Sequence, residues 1–279
     1  MGGAAPDDAP APDGYHEVAS VVPGAVLWWS RSGPETPEKR VLPDGCVDLL
    51  WTGTHLKVAG PDVVAFTTGS PAGSLVAGLR FAPGTGPRTL GLRAHEAVGQ
   101  RVPLDALLAG SRVARWEAQV SAAEHVRQAP GGPPGLVVGL EAVARALVDA
   151  APPADDLVLA MVAAVRRGLG VGETARELDV SERTLHRRAL PALGYGPATL
   201  GRVLRLQRAV GLARRGVPWA DVAARSGFAD QAHLARDVRA LAGVSPTTLV
   251  PAPRTAQGWE PGSQANRSTG LPSGSRTVA

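Results

Sequence analysis

The chain has 279 residues, 44% of them hydrophobic, with 29 basic against 25 acidic side chains and a formal charge of +4, and is long enough for two domains. Its one cysteine, Cys46, excludes an intramolecular disulfide framework and any cysteine-cluster zinc site. The longest apolar run, Leu157 to Val165, falls far short of the roughly 20 residues that span a bilayer, and no basic and apolar leader opens the chain, so a soluble cytoplasmic protein with no membrane partner is expected.

Residues 1–13 are Ala, Pro, Gly and Asp without an apolar period and are expected to be disordered. A β-rich domain is expected over 14–100. There, short apolar runs are punctuated by Gly and Pro: Val18 to Val22, Ala25 to Trp29, Cys46 to Trp51, Leu56 to Ala59, Val63 to Thr67 and Leu75 to Phe81. Such runs indicate a compact antiparallel sheet or barrel.

Strand alternation sorts the side chains of this domain. Val47, Leu49 and Trp51 share one face, and Cys46, Asp48 and Leu50 the other; Leu75, Ala77, Leu79 and Phe81 lie opposite Arg80. Asp48 and Arg80 read either as a solvated or ion-paired surface, or as a pair that orients a ligand in a barrel mouth. Trp28 and Trp29 must point to opposite faces, one to the core and the other to a pocket or interface. Trp28, Cys46, Asp48 and Arg80 are thus the candidate ligand pocket. Cys46 reads first as a small buried apolar residue, since His16, His55 and His95 offer no motif that sets a base beside it. Those scattered histidines also lack a metal-binding spacing, so no metal, cofactor or catalytic residue is expected.

Helical spacing follows in Leu104 to Leu108, Val113 to Val126 and Leu136 to Val148, with a break at Pro130 to Gly135, which suits a connector over 101–151 that can also dimerise. Asp155 then caps a helix from Asp156 to Arg167, which opens a domain at 152–250. Two copies of one plan lie inside it. In the first, Ala175 and Leu178 mark a short helix, Asp179 a turn, and Ser181 an N-cap, with Leu185 turned inward beside Val180. In the second, Ala223 sits at the helix crossing, Gly227 at the turn, Phe228 behind it, and Asp230 caps the next helix. A small residue at a close crossing, a turn four positions on and a capped polar helix are what a helix-turn-helix requires. Residues 161–250 carry 14 Arg against 7 acidic residues, a net +7, while the remainder carries −3, and a basic half favours a polyanionic partner. Arg replaces Lys almost throughout a chain rich in Ala, Gly and Pro, the composition of a GC-rich bacterial genome. After Pro251 the tail, 251–279, is rich in Pro, Gly, Ser and Thr, and mobility is expected.

Leu178-Asp-Val-Ser181, Gly194-Tyr-Gly-Pro197, Arg202 to Ala209, Ser226-Gly-Phe-Ala-Asp-Gln231 and Gly243-Val-Ser-Pro246 together resemble the AraC/XylS transcriptional regulators. The resemblance implies two helix-turn-helix units joined by a long helix, hence an α+β chain with an all-α DNA-binding domain. Ala189, Leu234 and Val238 stand where the family usually has Phe, Pro191 interrupts the end of the first recognition helix, and the closing Tyr-Arg is missing after Pro246. Leu42 to Leu50, Ala59-Gly-Pro61 and Gly78 to Gly84 likewise resemble the amino-terminal domain of an AraC-type subgroup with no well-described ligand. That likeness implies a small-molecule effector or a homodimer.

A helix from Ala198 to Arg215, opened by Pro197, would span roughly 27 Å and set two recognition helices about one turn of B-DNA apart, near 34 Å. Arg183, His186 and Arg187 in the first helix, where the resemblance also puts base contacts, and Gln231, His233 and Arg236 in the second are expected at base edges of double-stranded DNA in the major groove. Ser181, Thr184, Arg188, Arg202 and Arg239 are expected on phosphates. The alternative is an adaptor that uses the same fold for protein contacts. A cysteine-based DNA alkylation-repair protein would need several metal-bound cysteines, so no enzyme is expected.

Overall fold

The computed structural model describes residues 14–33, 38–124 and 133–251. Expectations for 1–13, for the break and the helix end within 125–132, and for the tail beyond Pro251 lie outside these residues.

Among the described residues eight strands form the amino-terminal domain: β1 (Gly14–Ala19), β2 (Ala25–Arg31), β3 (Lys39–Val41), β4 (Val47–Trp51), β5 (Leu56–Ala59), β6 (Phe66–Thr68), β7 (Leu75–Phe81) and β8 (Arg101–Pro103). Six make one sheet in the order β1-β2-β7-β4-β5-β8, every pair antiparallel, and β3 and β6 form a separate ribbon. β1 and β8 are its edges, so among the described residues the sheet is open and does not close into a barrel. The alternation read from sequence holds: Val47, Leu49 and Trp51 are buried on one face beside Leu27, Trp29, Ala77, Leu79 and Phe81.

Four strands differ from the sequence expectation. β1 starts at Gly14 rather than Val18, because its partner is the whole of β2, while Val22 lies in the turn that leads into β2. Val63 leaves the expected strand to pack in the core of the following domain, and the strand begins at Phe66. The polar trio Lys39-Arg40-Val41 pairs with it, and Arg101–Pro103 pairs with β5. Neither of these has an apolar alternation to announce it.

After the short α1 (Gly86–Thr89) come α2 (Gly110–Glu124) and α3 (Gly135–Asp149). Rather than standing apart as a connector, they close the apolar face of the sheet with Val113, Val120, Leu136, Leu140, Val143 and Leu147. Two carboxylates pin them there: Glu141 accepts from Ser20 Oγ at 2.7 Å and Val21 N at 2.6 Å, and Glu117 from Leu56 N at 2.9 Å.

The carboxyl-terminal domain comprises α4 (Asp156–Arg166), α5 (Val171–Glu177), α6 (Glu182–Leu193), α7 (Pro197–Arg214), α8 (Trp219–Ser226), α9 (Gln231–Ala242) and α10 (Pro246–Leu249). Asp155 caps α4 by accepting from Leu157 N and Val158 N. The 18-residue α7 is about 27 Å long. Its first half, through Leu200 and Leu204, joins the core built by α4, α5 and α6; its second half, from Leu206 to Ala213, joins the core built by α8 and α9. Among the described residues no helix is long and apolar enough to cross a membrane.

Candidate nucleic-acid interface

In the first unit, Gly170 N is held by Glu173 Oε2 at 2.8 Å where α5 begins. The turn is made by Asp179 at φ +50°, a conformation that Asp tolerates better than most residues. Ser181 Oγ accepts from Thr184 N at 3.1 Å, which satisfies a first-turn amide of α6. Leu185, Ala189 and Leu193 recur every four residues and are buried. This stripe leaves Arg183, His186, Arg187 and Arg188 exposed.

Pro191 does not interrupt α6, which runs through it to Leu193. Proline lies on the exposed side of the last turn, where one lost backbone bond is cheap. Gly194 closes the helix at φ +83°, its amide donating to Leu190 O at 2.9 Å.

The second unit repeats the plan with different means. Gly227 turns the chain at φ +83°, Phe228 is buried behind it, and Asp230 Oδ1 accepts from His233 N at 2.6 Å. Leu234 and Val238 fill the core of α9, while Gln231, Arg236 and Arg239 are exposed. The smaller Ala189, Leu234 and Val238 are each fully buried, so packing has closed around them in place of Phe.

Several expected contact residues are engaged within the protein. His233 is half-buried, sits edge-on to Phe228 with ring centroids 5.3 Å apart, and places Nε2 3.9 Å from Asp237 Oδ2. Arg202 Nη2 donates to Asp237 Oδ1 at 2.9 Å, and Arg205 Nη2 lies 3.7 Å from the other oxygen. Arg188 Nη1 lies 3.3 Å from Asp155 Oδ2, although its side chain stays half exposed. Thr184 Oγ1 is 2.9 Å from Ser181 Oγ, so both hydroxyls already share a bond.

Sequence reasoning missed Asp237 and Arg208. Asp237 gathers three cationic or ionisable side chains from α7 and α9. Arg208 donates to Ser226 O at 3.3 Å and Arg166 O at 2.9 Å, so it satisfies carbonyls at the ends of α8 and α4 together. The spacing of His233 and Asp237, four apart on one helix, was a signal for the first of these. Arg208 carried none, because its acceptors are backbone atoms.

In the amino-terminal domain the expected pocket residues do meet, on the face of the sheet opposite its core. Asp48 and Arg80 are cross-strand neighbours, with Arg80 Nε 3.3 Å from Asp48 Oδ1. The same guanidinium also meets Asp44 at 3.2 Å and Glu17 at 3.3 Å, so it is buried among three carboxylates. Tyr15 hydroxyl donates to Glu17 Oε1. Trp28 stacks on Tyr15 with centroids 5.8 Å apart and lies flat on Gly78, where a Cβ would fall 2.4 Å from Trp28 Cε2. Burial pushes the Asp48 carboxyl up to about 6, against the pull of Arg80 and with a push from Asp44. Burial also pushes the Cys46 thiol well above its ordinary value, with Asp44 adding to it, which disfavours the thiolate.

Residues 174–250 match the family model described as a helix-turn-helix domain, and residues 25–103 match one described as a domain of unknown function. No curated protein matches the chain. Among solved structures, ToxT from Vibrio cholerae O395 aligns at 12% identity and a TM-score of 0.40, over 85% of this chain and 97% of that one. The same protein bound to (E)-4-(8-methylnaphthalen-1-yl)but-3-enoic acid aligns at 11% identity and 0.43, over 85% and 97%. Superpositions this loose say nothing of what either domain of this chain binds.

Proposed function

Because the carboxyl-terminal domain is an AraC-type helix-turn-helix domain, we propose that the chain is a sequence-specific transcriptional regulator of the bacterial cytoplasm, controlled through its sheet domain by a small molecule or by dimerisation. The carrying observation is the pair of side-chain-capped helices, α6 and α9, each with a buried apolar stripe and exposed arginines, packed on the two halves of α7. Arg183, His186 and Arg187 of α6, and Gln231 and Arg236 of α9, read base edges in successive major grooves. His233, folded against Phe228, supports the second set from a half-buried position. Ser181, Thr184, Arg188 and Arg239 meet phosphates beside the amides at the start of α6 and along α9. Arg202 acts one step back, holding α9 to α7 through Asp237.

Trp28, Cys46, Asp48 and Arg80 line the polar face that an effector would reach. Arg80 is already neutralised by carboxylates, which favours a neutral or cationic effector over an anionic one.

The test is capture of sheared genomic DNA by the purified full chain, repeated across a salt series. A bipartite motif with blocks about ten base pairs apart is expected, with affinity falling by roughly one to three orders of magnitude between about 50 and about 200 mM salt. No enriched motif and a flat salt response would instead leave an adaptor that uses this fold for protein contacts.

A further inference from the structure

One segment of the sheet domain, Arg40 to Cys46, touches the carboxyl end of α9, the middle of α7 and the junction of α6 with α7. Arg40 Nη1 donates to Ala242 O, the carboxyl end of α9, at 2.9 Å. Leu42 packs into the core of the second unit. Pro43 O accepts from Gln207 Nε2, midway along α7, at 2.6 Å. Gly45, at φ +84°, passes so close that a Cβ there would lie 3.2 Å from Leu200 Cδ1 and 3.5 Å from the Tyr195 hydroxyl, at the junction of α6 and α7. That hydroxyl is buried without a hydrogen-bond partner, so the approach of the segment is what shuts it from water.

Asp44 lies in the middle of this segment and faces the other way. Its Oδ2 is 3.2 Å from Arg80 Nε, inside the sheet domain, and its Oδ1 accepts from Cys46 N at 2.9 Å. The far recognition helix ends on the same domain: a Cβ on Gly194 would lie 2.6 Å from Val98 Cγ2 and 3.0 Å from Pro61 Cγ. Ala65 N donates to Leu241 O at 2.6 Å, a second tie to the end of α9. Both recognition helices therefore end against the sheet domain, and one strap runs between them.

We propose that Asp44, held by Arg80, is a positioning residue: it tensions the strap Arg40–Cys46 and so fixes the spacing at which the two recognition helices meet DNA. The inference rests on the DNA-binding reading above. A buried guanidinium shared by three carboxylates suits the task. When Asp44 loses its charge, Glu17 and Asp48 still neutralise Arg80, so the sheet stays folded while the strap loosens.

The experiment compares the full chain with Asp44→Asn, which keeps the oxygen that accepts from Cys46 N, and with Gln207→Ala, which cuts the strap from α7 without touching the sheet. Each binds a duplex series in which the two blocks of the captured motif are moved apart or together by single base pairs. The unaltered chain should prefer one spacing by about tenfold or more, and both variants should lose most of that preference while binding the best duplex within about threefold. Hydrogen exchange without DNA supplies an independent reading: peptides covering 193–196 and 240–243 should exchange at least about tenfold faster in both variants, with β7 unchanged. Faster exchange in a chain that binds no duplex would sink the DNA reading and leave the strap standing. Unchanged exchange and an unchanged spacing preference in both variants would overturn the proposal. So would an equal loss of affinity at every spacing. If Asp44→Asn fails to fold, Gln207→Ala decides alone.

Discussion

Arg187 and Arg80 show how differently one side chain behaves on the two sides of this molecule. Arg187 is exposed on α6, with Leu185 and Ala189 beneath it, and its fork is free to bond guanine at two atoms. Arg187→Ala should weaken binding to the captured motif by about 1–3 kcal/mol, roughly fivefold to 150-fold, and leave binding to random duplex nearly unchanged. Equal losses on both duplexes, read by fluorescence anisotropy, would make Arg187 a phosphate contact.

Arg80 is buried, and its neighbours feel that burial. The Asp48 carboxyl rises from 3.8 to about 6 on folding, so the folded chain holds that proton more tightly than the unfolded chain. The stabilisation is full below about pH 4 and is lost as pH rises through about 6. Asp48→Asn removes this loss, since an amide oxygen still accepts from Arg80. The variant should gain on the order of 2 kcal/mol relative to the unaltered chain between pH 4 and pH 7. Thermal unfolding curves that stay parallel across that range would show that Asp48 titrates normally.

Helices of the carboxyl-terminal domain are held at their ends as well as along their lengths. α4, α6 and α9 start on Asp155, Ser181 and Asp230, each accepting a first-turn amide, and α6, α8 and α9 stop on glycines with positive φ. Asp230→Ala should lower stability by about 1 kcal/mol through the lost bond to His233 N. It should also fray the start of α9, seen as faster hydrogen exchange at 231–234 with no change in α6. These boundaries were legible in the sequence because capping is chemistry within three residues. The course of α6 through Pro191 was not, because nearby Gly194 and the buried Leu193 hold a turn that local propensity would end. The ribbon of β3 and β6 was missed for a related reason: Lys39 to Val41 carries no apolar alternation, and its partner lies 25 or more residues away.

Across the whole molecule, the sheet domain and the helical domain share their cores as well as their border. Leu42 lies in the packing of the second helix-turn-helix unit and Val63 in that of the first. On the proposed reading, a change at the polar face of the sheet has a short mechanical route to both recognition helices. Sequence alone determined the two helix-turn-helix units, their caps, the rod between them and the alternation of the buried strands, since each follows from periodicity and from bonds that close within a few residues. Tertiary structure alone decided that Arg80 would gather Glu17, Asp44 and Asp48, that Asp237 would bond Arg202, and that Arg40 to Cys46 would lie along α7. Those choices join residues 32 to 164 positions apart, and the free energy that selects a partner for a charge depends on what burial brings beside it.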